Sequence, residues 1–247
     1  MRYDIVIVGS GPSGQKGAIA AAKMGRSVAI VERRSATLGG VCLHTGTIPS
    51  KTMREAILHL TGYRQRDVYA ESFRKKRQIT MSQLRKKLNR VTEHEVDVIQ
   101  NQLERNRVDV VPGHASFASE HEIRVGHSCG QTVLEGENIM LAVGSKPARP
   151  ANVPFDKQTI FDSDEILAIE QIPRSMIVVG GGVIGVEYAI MFGILGVTVT
   201  LVDGRERLLE FCDREIVETL LMTLRHGKLR PCFLENPLPA RTFAGGP

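Results

Sequence analysis

Tyr3 and the apolar run Ile5–Val8 predict a buried strand over 3–8, followed by a helix over 13–24 and a second strand over 27–31. A glycine-rich loop continues through Gly46, and helix-compatible sequence extends from Ser50 to about Leu60. Residues 63–77 mix charges without a period and read as loop. From Ser82 to about Arg105, Leu84, Leu88, Val91, Val98 and Leu103 share one narrow helical face whose other side is strongly charged, so this helix is expected on a surface. Four short strands are expected next, at 108–111, 122–125, 131–134 and 138–143, as a meander on the edge of a larger domain. The Pro-rich stretch 146–154 is the expected boundary. A second strand–helix–strand unit runs from Ser175 to Asp203, and a helix follows over 215–224. Residues 226–247 show neither period and contain four prolines, so no strand is expected there.

The two strand–helix–strand units carry one 24-residue pattern written twice: GSGPSGQKGAIAAAKMGRSVAIVE from Gly9 and GGGVIGVEYAIMFGILGVTVTLVD from Gly180. Gly9, Gly11, Gly14 and Gly25 fall in register with Gly180, Gly182, Gly185 and Gly196, and Glu32 matches Asp203. This is the dinucleotide-binding fingerprint in its strand–turn–helix–strand context. The first glycine allows the turn, the second lets backbone approach a pyrophosphate, and the third lets helix pack on strand. The helix N-terminus offers N–H groups and partial positive charge to phosphates, and the terminal acid accepts from a ribose hydroxyl. A single GxGxxG would be weak; two full copies in register are specific. The expected fold is α/β, with two nested Rossmann-like domains of parallel sheet plus a β-meander: residues 1–163, a partial domain over 164–225, and an irregular tail over 226–247.

Bulk properties narrow the class. A length of 247 residues allows one large domain or about two ordinary ones, and 42% hydrophobic with 24% charged residues is typical of a globular chain. The net charge of +5 is spread out. The basic runs Arg74–Arg77 and Arg85–Lys87 have no interleaved aromatics, so solvated faces are expected and no nucleic-acid partner. Cys42, Cys129, Cys212 and Cys232 show neither metal-ligand spacing nor a secreted disulfide framework. The first strand begins within three residues of Met1, which leaves no room for a signal peptide. The most apolar stretch, 176–202, is broken by Glu187 and glycines and fits a buried βαβ unit better than a membrane span. A cytoplasmic location is expected.

Between the fingerprints lies GGVCLHTGTIPSK, Gly39 to Lys51. With HTGTIPSK, ASFASEHEI (115–123) and FDSDEIL (161–167), it makes residues 1 to about 225 resemble the pyridine nucleotide–disulfide oxidoreductases, flavoproteins that bind FAD first and NAD(P) second. Members with a redox disulfide read GGxCxxxGCxPSK, with both cysteines on a helix beside the flavin. This chain keeps Cys42 but has Thr47 at the second position, so no dithiol relay can form. That departure places it with a transhydrogenase subgroup in which Cys-x4-Thr replaces Cys-x4-Cys. The implied activity is FAD-dependent hydride transfer between NADPH and NAD⁺, with weak FAD retention and little turnover expected of a chain that loses the family pattern after Arg225. The alternatives are a disulfide reductase resembling dihydrolipoamide dehydrogenase and a non-catalytic nucleotide-binding remnant.

The resemblance implies roles by position. Gly9, Gly11, Ser13, Gly14 and Glu32 would hold the FAD pyrophosphate and ribose, and Gly40, Val41, Cys42 and Thr47 would line the isoalloxazine. Gly113, His114 and Ala115 match a loop touching adenine, and Ala142, Val143, Gly144 and Ser145 match, slightly altered, the family's ATGS segment. Lys51 would sit near flavin N5 with Glu187 as its acidic partner. Cys42 is a candidate catalytic thiol at a helix N-terminus; lacking a resolving partner, it reads better as a small filler. His44 has no visible partner. Gly180, Gly182, Val183, Ile184 and Gly185 would hold the nicotinamide nucleotide. Asp203 favours NAD, while Arg205 and Arg207 could pair with the 2′-phosphate of NADP or be plain surface charge. An intact family member is longer and is expected to be a homodimer with an interface domain, absent here. The loss of pattern after Arg225 reads as a truncated or frameshifted product.

Overall fold

The computed structural model describes residues 1–33, 35–62, 79–128, 130–225 and 229–233; side chains at 35, 223, 225 and 229–233 are not described. The expected loop at 63–77 with its run Arg74–Arg77, Cys129, the Cys232 side chain and the tail beyond Phe233 lie outside the described residues. The chain divides into two units, residues 1–50 with 88–146 and residues 51–87 with 147–247.

In the first unit, β1 (Arg2–Val8), α1 (Pro12–Lys23) and β2 (Val28–Glu32) form the expected strand–helix–strand. β3 (Asp109–Pro112), β4 (His114–Phe117), β5 (Glu122–His127) and β6 (Gly130–Leu141) complete one six-stranded sheet of order β3-β2-β1-β6-β5-β4. The β3-β2-β1-β6 pairs are parallel, whereas β6-β5 and β5-β4 are antiparallel. Period-2 alternation splits the strands between two cores. Ile7, Val28 and Ile30 pack with Ala18 and Ala21 of α1 and with Leu103 of α4 (Met81–Arg105). Val6, Ala29 and Val31 point the other way and meet Ile123, Val125 and Leu134 of the meander. The sheet is therefore covered on both faces, which is why β1 and β2 read as continuous apolar runs.

Two expectations change here. The strands expected at 131–134 and 138–143 are one strand, β6, ending at Leu141. Its first half pairs with β5 as far as Glu135, and its second half pairs with β1 from Glu135 onward. The polar Glu135-Gly136-Glu137 is thus the point where partners change and not a turn. β4, which was not expected, is held by antiparallel pairing of His114–Phe117 with Ile123–Gly126.

At the sheet margin the Tyr3 hydroxyl donates to Asp109 Oδ2 at 2.8 Å. Burial first, and then the Asp109 carboxylate, push the Tyr3 phenol up to about 12. A raised phenol stabilises the fold below the unfolded value of ~10 and loses that contribution as pH rises from there, toward about 12. Denaturant titrations at pH 9 and pH 11 are expected to show an alkaline loss that Tyr3→Phe removes. An equal loss in both proteins would contradict this assignment.

In the second unit, β7 (Ser175–Val179), α5 (Val183–Ile194), β8 (Thr198–Asp203), α6 (Arg214–Arg225) and β9 (Leu229–Phe233) build a parallel sheet of order β7-β8-β9. β9 corrects the expectation that no strand follows Arg225: Val199–Asp203 pairs with Leu229–Phe233. Pro231 lies on an edge strand of this sheet, where a missing N–H is tolerated. Val186, Ala189, Met191 and Phe192 of α5 are buried, as are Val199 and Leu201 of β8. In the stretch before β7, Arg149 binds Asp162 through Nε (2.8 Å) and Nη2 (2.6 Å), reaches Glu165 (2.6 Å), and lies 5.0 Å over the Phe155 ring. Among the described residues, no helix is long and apolar enough to cross a membrane, and no group of His, Cys, Asp and Glu could hold a metal ion.

Candidate functional site

The first candidate site grows from the end of β1. Gly9 turns with φ of 105° and donates its N–H to Val31 O at 2.8 Å, and a side chain on it would strike Ala142 O. Gly11 is the N-cap of α1, has no side-chain cap, and has open space where a Cβ would stand. Pro12 opens the helix, where its missing N–H costs nothing. Gly14 packs so closely that a Cβ would collide with Gly9 O. An uncapped helix N-terminus beside open glycine backbone is the geometry that receives an anionic pyrophosphate. Ser13 is exposed in the first turn of α1.

Behind the cradle lies a polar cluster that sequence reading missed. Glu32, 9% exposed, accepts from the Ser10 N–H (3.1 Å) and Ser10 Oγ on one oxygen and from Thr37 Oγ1 (3.0 Å) on the other. Gln15 Nε2 donates to Ser10 O at 2.7 Å, and Gly39 N–H donates to Ser10 Oγ at 3.0 Å. A serine between fingerprint glycines was the available signal; its partners became visible only once parallel pairing set β1 beside β2. Gly113, with φ of 151°, donates its N–H to Glu32 O at 2.8 Å, which brings the β3–β4 turn to the same acid. His114 and Ala115, expected in a loop, lie in β4, with Ala115 partly buried against the meander core. Ala142 donates its N–H to Val8 O at 2.8 Å, and Val143, Gly144 and Ser145 are exposed beyond it.

The segment carrying Cys42 is also helical where a loop was expected. α2 (Gly40–His44) and α3 (Thr47–Thr61) are separated by Thr45 and Gly46, so Cys42 and Thr47 lie on two helices. The break is fixed by Thr45 and Gly46 N–H groups that both return to Val41 O, at 3.0 and 2.7 Å. Gly40 brings this segment against the cradle: a Cβ there would stand 3.0 Å from Gly11 Cα. Val41 is 41% exposed, Cys42 is a half-buried free thiol, and the partnerless His44 of the sequence reading in fact bonds Leu38 O through Nε2 at 3.0 Å.

The second candidate site repeats the first in the second unit. Gly180 turns with φ of 111° and donates its N–H to Val202 O at 2.8 Å; Gly182 caps α5 without a side-chain bond; both face open space. A Cβ on Gly185 would collide with Gly180 O. Val183 and Ile184 expose 55% and 58% of their surface at the start of α5, which offers an apolar surface beside the cradle. Asp203, almost fully buried, accepts the Gly181 N–H on Oδ2 and the Arg205 N–H on Oδ1 (2.9 Å). The Arg205 guanidinium forks across both oxygens, Nε to Oδ1 at 2.9 Å and Nη2 to Oδ2 at 2.6 Å. The Arg205 hydrogen bonds lead the forces that hold the Asp203 carboxyl below the usual carboxylate range, and the Gly181 N–H adds to them. Arg207 turns to Glu210 O at 2.8 Å. In the same unit Lys51, in the second turn of α3, forms an ion pair with Glu187 of α5; their side chains are 55% and 19% exposed.

The chain is 53% identical over 225 residues to a soluble pyridine nucleotide transhydrogenase of Mycobacterium tuberculosis, covering 90% of this chain and 48% of the relative. It is 40% identical to one of Azotobacter vinelandii, covering 92% and 49%. The HOCl-induced flavoprotein disulfide reductase RclA from Escherichia coli superposes with a TM-score of 0.80 at 27% identity, over 94% of this chain and 49% of that one. The chain thus spans about half the length of the relatives it matches. The family profile described as pyridine nucleotide-disulphide oxidoreductase matches residues 3–230, and the chain belongs to that family.

Proposed function

We propose that the chain supports hydride exchange between NADPH and NAD⁺ through FAD, with the Gly9–Gly14 cradle taking FAD and the Gly180–Gly185 cradle taking the nicotinamide nucleotide. The observation that carries this reading is Thr47 in the position of the second redox cysteine, in a chain half-identical to relatives named as soluble transhydrogenases. With one sulfur in that segment there is no dithiol to pass electrons onward, so nucleotide-to-nucleotide exchange is the chemistry left open.

Both cradles offer the chemistry of a pyrophosphate site: helix N–H donors without a capping side chain, and glycine positions with room for ligand atoms. FAD held at the Gly9–Gly14 cradle would supply the reversible hydride chemistry that links the two nucleotides. The chain's own residues would bind and orient. Glu32, fixed by Ser10 and Thr37, would accept from the adenosine ribose of FAD. Lys51, held by Glu187, would provide a positioned cation to stabilise negative charge on the reduced ring. Val183 and Ile184 would exclude water beside the second cradle.

The full chain is to be purified, incubated with FAD and desalted. A flavin absorption band weak relative to protein, and slow reduction of thio-NAD⁺ by NADPH in proportion to bound flavin, are expected. Loss of all flavin on desalting would overturn the FAD reading. Bound flavin without thio-NAD⁺ reduction would overturn the transhydrogenase reading alone.

A further inference from the structure

Ser10 is fully buried between the first two glycines of the first cradle, and each polar group it carries is bonded. Its N–H and its hydroxyl donate to Glu32 Oε2, and its carbonyl accepts from Gln15 Nε2. Its Oγ also accepts the Gly39 N–H at 3.0 Å. The hydroxyl is thus the middle of a relay that runs from Gly39 N–H through Ser10 O–H to the Glu32 carboxylate. Each bond in such a chain polarises the next, and an ionised end strengthens the bond made to it. Gly39 is the N-cap of α2, and a Cβ on the next residue, Gly40, would stand 3.0 Å from Gly11 Cα. Ser10 and Gly11 therefore meet Gly39 and Gly40 at successive points.

The internal repeat separates what both fingerprints share from what only the first one has. Gly181 stands in the place of Ser10, and its N–H still donates to the matching acid, Asp203. It has no hydroxyl, and a Cβ there would stand 2.3 Å from Leu208 Cδ2. The backbone bond to the acid belongs to both units; the hydroxyl relay belongs to the unit that carries α2.

The inference rests on the reading of Gly9–Gly14 as the FAD cradle. We infer that Ser10 is a positioning residue for the flavin: its hydroxyl docks α2 on the cradle, so the acid assigned to the ribose end also fixes Val41 and Cys42 at the isoalloxazine end. A five-residue helix without a side-chain cap has little stability of its own, so external anchors set its place. Without the hydroxyl, the Gly39 N–H loses its acceptor in a buried position and regains one from water only if α2 lifts from the cradle.

The rate at which iodoacetamide alkylates Cys42 in the full chain without added flavin, followed by peptide mass spectrometry, measures this docking. Cys212, a half-buried free thiol of the second unit, is the control, and thermal melting verifies folding. Ser10→Ala is expected to speed Cys42 alkylation about fivefold or more, the scale of one lost hydrogen bond, with Cys212 unchanged. Thr37→Val also removes a donor to Glu32 but spares the Gly39 bond, so Cys42 should stay within about twofold of the intact chain. If Ser10→Ala does not fold, Glu32→Gln carries the test: it weakens the relay from its charged end and is expected to speed Cys42 by about threefold. An unchanged Cys42 rate in folded Ser10→Ala, or in Glu32→Gln where that variant carries the test, would overturn the inference. Equal acceleration by Thr37→Val, or of Cys212, would do the same. Where flavin is retained, FAD is expected to protect Cys42 more in the intact chain than in Ser10→Ala, and equal protection would also overturn the positioning role. Selective exposure of Cys42 in a chain that keeps no flavin would overturn the FAD reading and leave the docking of α2 by Ser10 standing.

Discussion

Gly14→Val is expected to destabilise the first unit by about 3 kcal/mol or more, a large share of the roughly 5–15 kcal/mol that holds a domain. Overpacking usually costs about 1–3 kcal/mol because flexible side chains can yield. Here the obstacle is backbone: a Cβ on Gly14 runs into the Gly9 carbonyl, with the Ile7 side chain 3.4 Å away. Gly9 cannot retreat, because its N–H is tied to Val31 and its Cα faces the Ala142 carbonyl. Gly11→Ala is the informative partner, since a methyl there meets nothing within 4 Å. It is expected to melt near the unsubstituted chain yet retain less FAD, because the methyl fills the space left for a ligand. Thermal unfolding with flavin content measures both. A Gly14→Val protein that melts normally would show that this helix–strand contact is looser than the geometry states.

Lys51→Met is expected to cut thio-NAD⁺ reduction per bound flavin by about a hundredfold, the scale seen when one preorganised electrostatic group is removed. Its stability should change by less than about 1 kcal/mol, because a half-exposed ion pair contributes little to folding. Glu187→Gln keeps the ammonium but frees it from its partner on α5, so a smaller loss is expected, arising from positioning. The split separates the two roles: a charge contribution appears in Lys51→Met, and an orienting contribution appears in both. Unchanged turnover in Lys51→Met with full flavin occupancy would remove Lys51 from the proposed chemistry.

Much of this architecture could be read from residues alone. The β-branched runs at 5–8 and 177–179 and the glycine spacing placed both cradles, because turn, helix start and strand end are all local. What escaped depends on distant partners. Glu135-Gly136-Glu137 looks like a turn, but β6 runs straight through it because β5 and β1 take up its pairing in succession. His114–Phe117 lacks β-branched residues and is a strand through its pairing with β5. Pro231 argues against a central strand and is compatible with the edge it occupies. The Ser10–Glu32–Thr37 cluster and the Arg205 fork were illegible for a related reason: side-chain partnerships follow the backbone path, and composition does not encode them.

The dual pairing of β6 also imposes an order on biosynthesis. β1 leaves the ribosome before the rest of its unit, yet its neighbour on one side is built from residues 135–141. Until those residues emerge, β1 has β2 beside it and a bare edge opposite, with Val6 and Ile7 not yet enclosed. The later antiparallel strands β5 and β6 are close in sequence and can zip locally before long-range closure onto β1. The nascent N-terminal strand therefore waits for most of its own unit to be synthesised, and that interval is when its open edge is exposed to strand exchange with other nascent chains.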